Sequence, residues 1–180
     1  MSYKIHLSRK GSPNFLKLIV VVIAIIYFAQ YIIDPFHFGF LYVVNLVIHE
    51  AGHVFFMFFG ELLYASGGTI FQLSVPFIFI AYFCFKKEFF SAFILLFWLG
   101  QNFINVAVYM GDAVERELPL LGGNNVRHDW YAIFSYLNIL QLTDILSTIT
   151  YSIGVFIIIV AAVLSFCSAL KVSLRFKNKY

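Results

Sequence analysis

Long apolar runs separated by short polar turns make up most of the chain, and several match the roughly 20 residues a helix needs to cross a bilayer. Phe15 to Ile33 is the first. Lys17 lies close enough to its start to snorkel to the headgroups, and Asp34-Pro35 closes it with a turn. Phe38 to Phe59 follows, and its only ionisable side chains are His49, Glu50 and His53. Phe89 to Met110 carries no charge, and Ile145 to Leu170 runs from Thr143-Asp144 into a basic tail. The pattern predicts membrane spans over about 15–33, 38–59, 89–110 and 145–170.

The stretch 65–85 fits two descriptions. Gly67 and Gly68 at its front, Gln72 and Ser74 on one parity and Pro76 beyond them suit an extended or re-entrant element. A short kinked helix that crosses fits equally on length. Residues 113–127 form the one long polar connection, including Gly122-Gly123-Asn124-Asn125, a loop able to fold back over a neighbouring site. Tyr131 to Leu142 is too short to cross and reads as an interfacial helix with Asp129 as its N-cap. The expected fold class is all-α: a polytopic membrane helical bundle with four to five spans, residues 1–180 forming a single integral membrane domain.

Composition sharpens this. With 62% hydrophobic and 12% charged residues and a mean hydropathy of +0.89, the chain departs far from soluble domains, in which charged residues approach about 25%. The net charge of +3 comes from basic residues gathered near the ends: Lys4, Arg9, Lys10 and Lys17, then Lys171, Arg175, Lys177 and Lys179. That placement speaks of topology and anionic lipid, not nucleic acid. Four spans with 65–85 re-entrant would put both ends and Lys86-Lys87 in the cytoplasm, as the positive-inside preference favours. The basic start, with no cleavage site after the first span, reads as a retained signal anchor in a multi-pass protein of a bacterial-type inner membrane. Cys84 and Cys167 stand alone in apolar segments and read as core packing.

The chemistry concentrates in His49-Glu50-Ala51-Gly52-His53. Ionisable groups within a span cost about 2.5–3.5 kcal/mol each on insertion scales, so they mark function. Residues four apart share a helix face, so His49 and His53 can bind one zinc ion, with Glu50 beside them as general base. Catalytic zinc takes three protein ligands and leaves a position for water, so a further residue must join. Asp112, His128 and Asp129 are the candidates, with Glu61 and His37 behind them. Asn45, one turn before His49, can orient that imidazole or bond to another helix. Asn102 and Asn105 are polar groups on the charge-free span, and Asn105, Tyr109, Asp112 and Arg116 follow one another along one stripe. Asp129 as a helix cap, and Asp112 as the i,i+4 partner of Arg116, are the purely structural alternatives.

A membrane-embedded His-Glu-x-x-His with Gly52 in its fourth position resembles the site-2 protease family of intramembrane zinc metalloproteases. In that family a later helix carries an Asn-x-x-Pro-x-Pro-x-x-Asp-Gly type of motif, whose aspartate is the third ligand. Asn105 to Asp112 occupies the corresponding place, without either proline, about one residue short, and with Ala113 where the glycine stands. The resemblance covers less than half of the chain. It implies Asp112 as third ligand and Asn105 as a group that contacts substrate or braces a ligand. It also implies zinc-dependent hydrolysis of a peptide bond in a membrane-protein or peptide substrate. A segment such as Gly67 to Val75 would pair with the unwound substrate as a strand. His128 and Asp129 remain the rival ligand source, or the groups that hold an oxyanion. A zinc hydrolase of lipids or lipidated peptides, and a metal-binding membrane protein without hydrolysis, are the alternative functions.

Overall fold

Inside a bilayer a backbone amide finds no water, so apolar runs of this length satisfy their hydrogen bonds within themselves, as helices. The computed structural model of the protein describes residues 3–9, 11–119, 121 and 127–178. Among them the helices are α1 (Phe15–Ile33), α2 (Phe40–Phe56), α3 (Glu61–Phe85), α4 (Phe89–Gly111), α5 (Asp129–Leu137) and α6 (Thr143–Ala169). A 3-10 turn, Leu140–Leu142, leads into α6. The expected all-α bundle is what forms. Among the described residues four helical segments are long and apolar enough to cross a membrane: α1, α3, α4 and Leu140–Ala169.

Two segments differ from expectation. The stretch 65–85 is neither extended nor re-entrant, because Glu61–Phe85 is one continuous helix of 25 residues with Pro76 inside it. Consequently Gly67 to Val75 offers no strand edge to a substrate. The glycines serve close approach instead: a Cβ on Gly52 of α2 would collide with the Gly67 carbonyl oxygen of α3, and one on Gly67 would lie 2.8 Å from the Gly52 oxygen. The second span is also shorter than 38–59. Its helix has 17 residues, about 25 Å of length at 1.5 Å per residue, against a hydrocarbon core of about 30 Å. It begins only after Gly39, where any Cβ would strike the Tyr31 hydroxyl, and it ends before a turn at Gly60, whose φ is +92°.

A third element was not anticipated. The chain ends pair as an antiparallel ribbon, β1 (Tyr3–Arg9) against β2 (Val172–Asn178), with Tyr3 opposite Asn178 and Arg9 opposite Val172. The Asn14 amide also donates to the Ala169 carbonyl at 2.9 Å, so both chain ends meet at one end of the bundle. Lys10, Lys179 and the Gly122-Gly123-Asn124-Asn125 loop lie outside the described residues.

The burial pattern inverts that of a water-soluble protein. Phe15, Ile33, Phe58 and Phe85 are more than 70% exposed, whereas Asn45, Gln101 and Asn102 are wholly buried. Large apolar side chains facing outward and polar ones turned inward suit lipid surroundings. One core joins α1, α4 and α6 through Phe28, Phe97, Ile104 and Ile158; another seats α5 beneath α3 and α4 through Ala65, Met110, Ile133 and Phe134. Cys84 is exposed at the end of α3 and packs in no core, and Cys167 is half-buried.

The axis of the bundle is the α4–α6 crossing, where Gly100 and Gly154 let two backbones touch. A Cβ on Gly154 would lie 2.7 Å from the Gly100 oxygen. Gly154→Val should therefore destabilise the detergent-solubilised protein by about 1–3 kcal/mol, the range of overpacked cores. Gly111→Ala, whose Cβ meets Ser147 Oγ at 3.5 Å, should leave the thermal midpoint equal or raised.

Candidate metal centre

His49 and His53 stand one turn apart on the buried face of α2. Helix α2 runs antiparallel to α3, so His49 meets Gln72 while His53 meets Tyr64, one turn into that helix. The motif thus lies near the end of the bundle opposite the chain ends, level with the last turns of α4. There α5 begins, and its first residue, Asp129, reaches back between the two imidazoles. Asp129 Oδ2 is 3.1 Å from His49 Nε2 and 3.1 Å from His53 Nε2. One ligand atom from each of the three residues falls within 4.8 Å of the others, and all three residues are buried.

The other ring nitrogens decide what this cluster can hold. His53 Nδ1 lies 2.8 Å from the backbone carbonyl of Tyr64, which can only accept, so that nitrogen carries the proton. His49 Nδ1 lies 3.1 Å from Gln72 Oε1, and the Gln72 amide donates to Asn105 Oδ1 at 2.7 Å, which assigns the His49 proton to Nδ1 as well. In neutral rings both Nε2 atoms are then lone pairs facing a carboxylate oxygen. Burial would raise the Asp129 carboxyl, but where the imidazoles carry a proton on Nε2 their hydrogen bonds outweigh it and bring the group down to about 2, so the carboxylate oxygen is itself an acceptor. Acceptors converging without donors between them require a cation: a proton on an imidazole, or a metal ion. The residues present fit a metal, because each imidazole already donates its other N–H to an acceptor, as metal-ligating histidines do.

The third partner is thus Asp129 and not Asp112. Asp112 lies just past the end of α4, where its oxygens accept from its own loop: Oδ1 from the Glu117 amide at 2.8 Å and Oδ2 from the Leu118 amide at 3.1 Å. His128 does not join the cluster either. It is the N-cap of α5, accepting from the Tyr131 amide at 3.3 Å, the role expected of Asp129. Its Nε2 stands 3.3 Å from Asp112 Oδ2, close enough for attraction though not aligned as a hydrogen bond. Arg116 lies 4.5 Å over the Tyr131 ring, and among the described residues no ion pair joins it to Asp112. Glu61 forms an exposed pair with Arg127 at 3.6 Å, and His37 packs against the Tyr31 ring.

Of the asparagines, Asn105 braces the centre through Gln72. Asn45 does not orient His49: it donates to Gln101 at 2.6 Å and accepts from the Trp98 indole at 2.7 Å, joining α2 to α4. Asn102 bonds back to the Trp98 carbonyl of its own helix at 3.0 Å. Three contributors were not foreseen: Gln72, the Tyr64 carbonyl, and the Tyr109 hydroxyl, which donates to Asp129 Oδ2 at 3.2 Å and accepts from the Asp129 amide at 3.1 Å. Gln72 was a visible signal, a lone amide in an apolar run, and Tyr109 stood on the polar stripe one turn after Asn105. Gly68 is required as well, since any Cβ there would run into the His49 ring.

A cavity of about 350 Å³ opens on the cluster. Glu50, His49, His53, Tyr109 and Asp129 line its polar wall, while Phe36, Phe38, Leu46, Leu118 and Pro119 supply apolar ones. Glu50 is exposed into this space and holds the position after His49, near the cluster but outside it. Comparison with family models, curated proteins and solved structures gives no match.

Metal binding separates the two aspartates. Asp129→Asn should abolish equilibrium binding of Zn2+ to the purified protein, while Asp112→Asn, which keeps an acceptor for its loop, should retain it. Gln72→Leu should weaken binding about 10–100-fold, as removal of a ligand's brace typically does. Loss of zinc in Asp112→Asn alone would return the third position to Asp112.

Proposed function

We propose that the protein is a membrane-embedded zinc-dependent endopeptidase, acting on peptide bonds of membrane or near-membrane substrates. The observation that carries this is the placement of Glu50, a carboxylate outside the donor set yet on the wall of the cavity that the donors face. A passive metal site has no use for it. The resemblance of the motif to site-2 proteases supports the same reading.

Zinc suits the donors. Two imidazoles and a carboxylate are its common catalytic set. The three donor atoms that would hold it lie within 4.8 Å of one another, Asp129 Oδ2 being 3.1 Å from each Nε2. When bound, zinc supplies a Lewis acid that brings the pKa of a water toward about 7 and polarises a carbonyl.

The remaining steps belong to the chain's own residues. The Glu50 carboxylate takes the proton from the attacking water, whose oxygen bonds to the peptide carbon as the carbonyl electron pair moves onto its oxygen. Glu50 then delivers that proton to the departing nitrogen as the C–N bond breaks. Asn105, through Gln72, and Tyr64, through its carbonyl, hold the imidazoles in the orientation that keeps their Nε2 lone pairs inward.

The cavity limits what enters. A helix with side chains is about 10–12 Å across and does not fit in about 350 Å³. A substrate must therefore unwind locally, presenting an extended backbone and apolar side chains to Phe36, Phe38 and Leu46. The paired chain ends share one end of the bundle, and the basic residues there support a cytoplasmic location for it in a bacterial-type inner membrane, as the positive-inside preference favours.

Reconstitution with a membrane-spanning reporter peptide tests the proposal. Glu50→Gln should bind zinc like wild type and cleave on the order of 10²–10⁴-fold more slowly, the typical contribution of general acid–base catalysis. Chelation should silence wild type and added zinc should restore it. Cleavage undiminished in Glu50→Gln would end the catalytic assignment, and ester or lipid turnover without peptide cleavage would make the enzyme a lipid hydrolase.

A further inference from the structure

The Tyr109 hydroxyl is a neutral donor on the cavity wall in direct contact with Asp129, and the mechanism above gives it no task. Its position is unusually determined. The oxygen accepts the Asp129 backbone N–H at 3.1 Å, and the ring lies against His128, with centroids 4.3 Å apart and an interplanar angle of 42°. The same ring meets His49 edge-on at 5.8 Å. A tyrosine hydroxyl has a single proton, and here it points at Asp129 Oδ2, the oxygen that also faces both Nε2 atoms.

That proton has a second use. With a metal held at the centre, Asp129 Oδ2 would be a poorer acceptor, while the Asp129 amide would still pin the phenolic oxygen. The O–H would then be free to turn about its C–O bond toward the cavity.

We infer that Tyr109 is a catalytic residue that donates its hydroxyl hydrogen bond to the oxyanion formed when water adds to the scissile carbonyl. The inference rests on the peptidase reading above. As water adds and Glu50 takes its proton, the carbonyl oxygen gains a full negative charge, and a donor aimed at it stabilises the adduct more than the ground state. Tyr109 keeps its proton throughout, so no transfer through the phenol is needed. When the C–N bond breaks, the carbonyl re-forms and the hydroxyl returns to Asp129.

Tyr109→Phe tests this, because it keeps the ring on His128 and removes only the hydroxyl. The expected result is a fall in kcat on the order of 10²-fold with KM and zinc content unchanged. Affinity for a phosphinic peptide, whose tetrahedral anion mimics the adduct, should fall by a similar factor, while affinity for an uncleavable ground-state peptide holds. Glu50→Gln is run beside it. Inactivity of that variant together with full activity and full phosphinate affinity in Tyr109→Phe would overturn the role of Tyr109 and leave the peptidase reading standing. Parallel loss of zinc and activity in Tyr109→Phe would also overturn it, making Tyr109 a brace for Asp129. Full activity in Glu50→Gln would remove the peptidase reading, and this inference with it.

Discussion

Two imidazole nitrogens aimed at one carboxylate oxygen, 3.1 Å from each, inside a bundle whose outer surface is apolar, form the constraint around which the rest is arranged. In such surroundings no bulk water solvates a bare lone pair or an anion, so each must find a partner in the protein or a cation between them. The partners come from every adjacent element: the Tyr64 carbonyl and Gln72 from α3, Asn105 and Tyr109 from α4, Asp129 from α5. Each lies where it does because backbones approach closely enough to bring short polar side chains into reach.

Glycines make that approach. Gly52 and Gly67 let α2 and α3 touch, and Gly68 leaves room for the His49 ring. Gly100 and Gly154 do the same for α4 and α6, which fixes the level of Asn105 and Tyr109. In lipid, where apolar side chains gain little by leaving their surroundings, this backbone packing and the hydrogen bonds it permits carry much of the helix association. The short α2 follows from the same economy. It needs only to carry the motif from the Asn45 contacts with α4 to the Tyr64 end of α3, and it is braced by neighbours that themselves have the length to cross.

The elements that were read correctly are those whose signal is local. Apolar runs of span length predicted α1, α4 and α6 almost to their ends, since backbone satisfaction in an apolar medium leaves little choice. The stretch 65–85 was ambiguous because Gly67, Gly68 and Pro76 break helices in water, whereas here the glycines are contact points and Pro76 sits buried within the helix. The terminal ribbon has only a weak local signal: Lys4-Ile5-His6-Leu7 and Ser173-Leu174-Arg175-Phe176 alternate as strands do, but the two runs lie at opposite ends of the chain and pair only once the bundle brings the ends together. The motif resemblance implies Asp112, whereas the structure brings Asp129 to the two imidazoles. What separates them is which way a loop turns: Asp112 folds onto its own following amides, and Asp129, released from capping by His128, points back at α2.

By itself the sequence determined that this is an all-α membrane bundle and that His49 and His53 share a helix face with Glu50 beside them, since both follow from helix periodicity and from the absence of water around an apolar run. Only the tertiary structure decided which acid completes the centre, that Gln72, Tyr64 and Tyr109 hold it, and that Asn45 and Asn102 serve packing. Those choices depend on contacts between residues up to 80 positions apart, His49 and Asp129 among them, and no local periodicity encodes a contact at that separation.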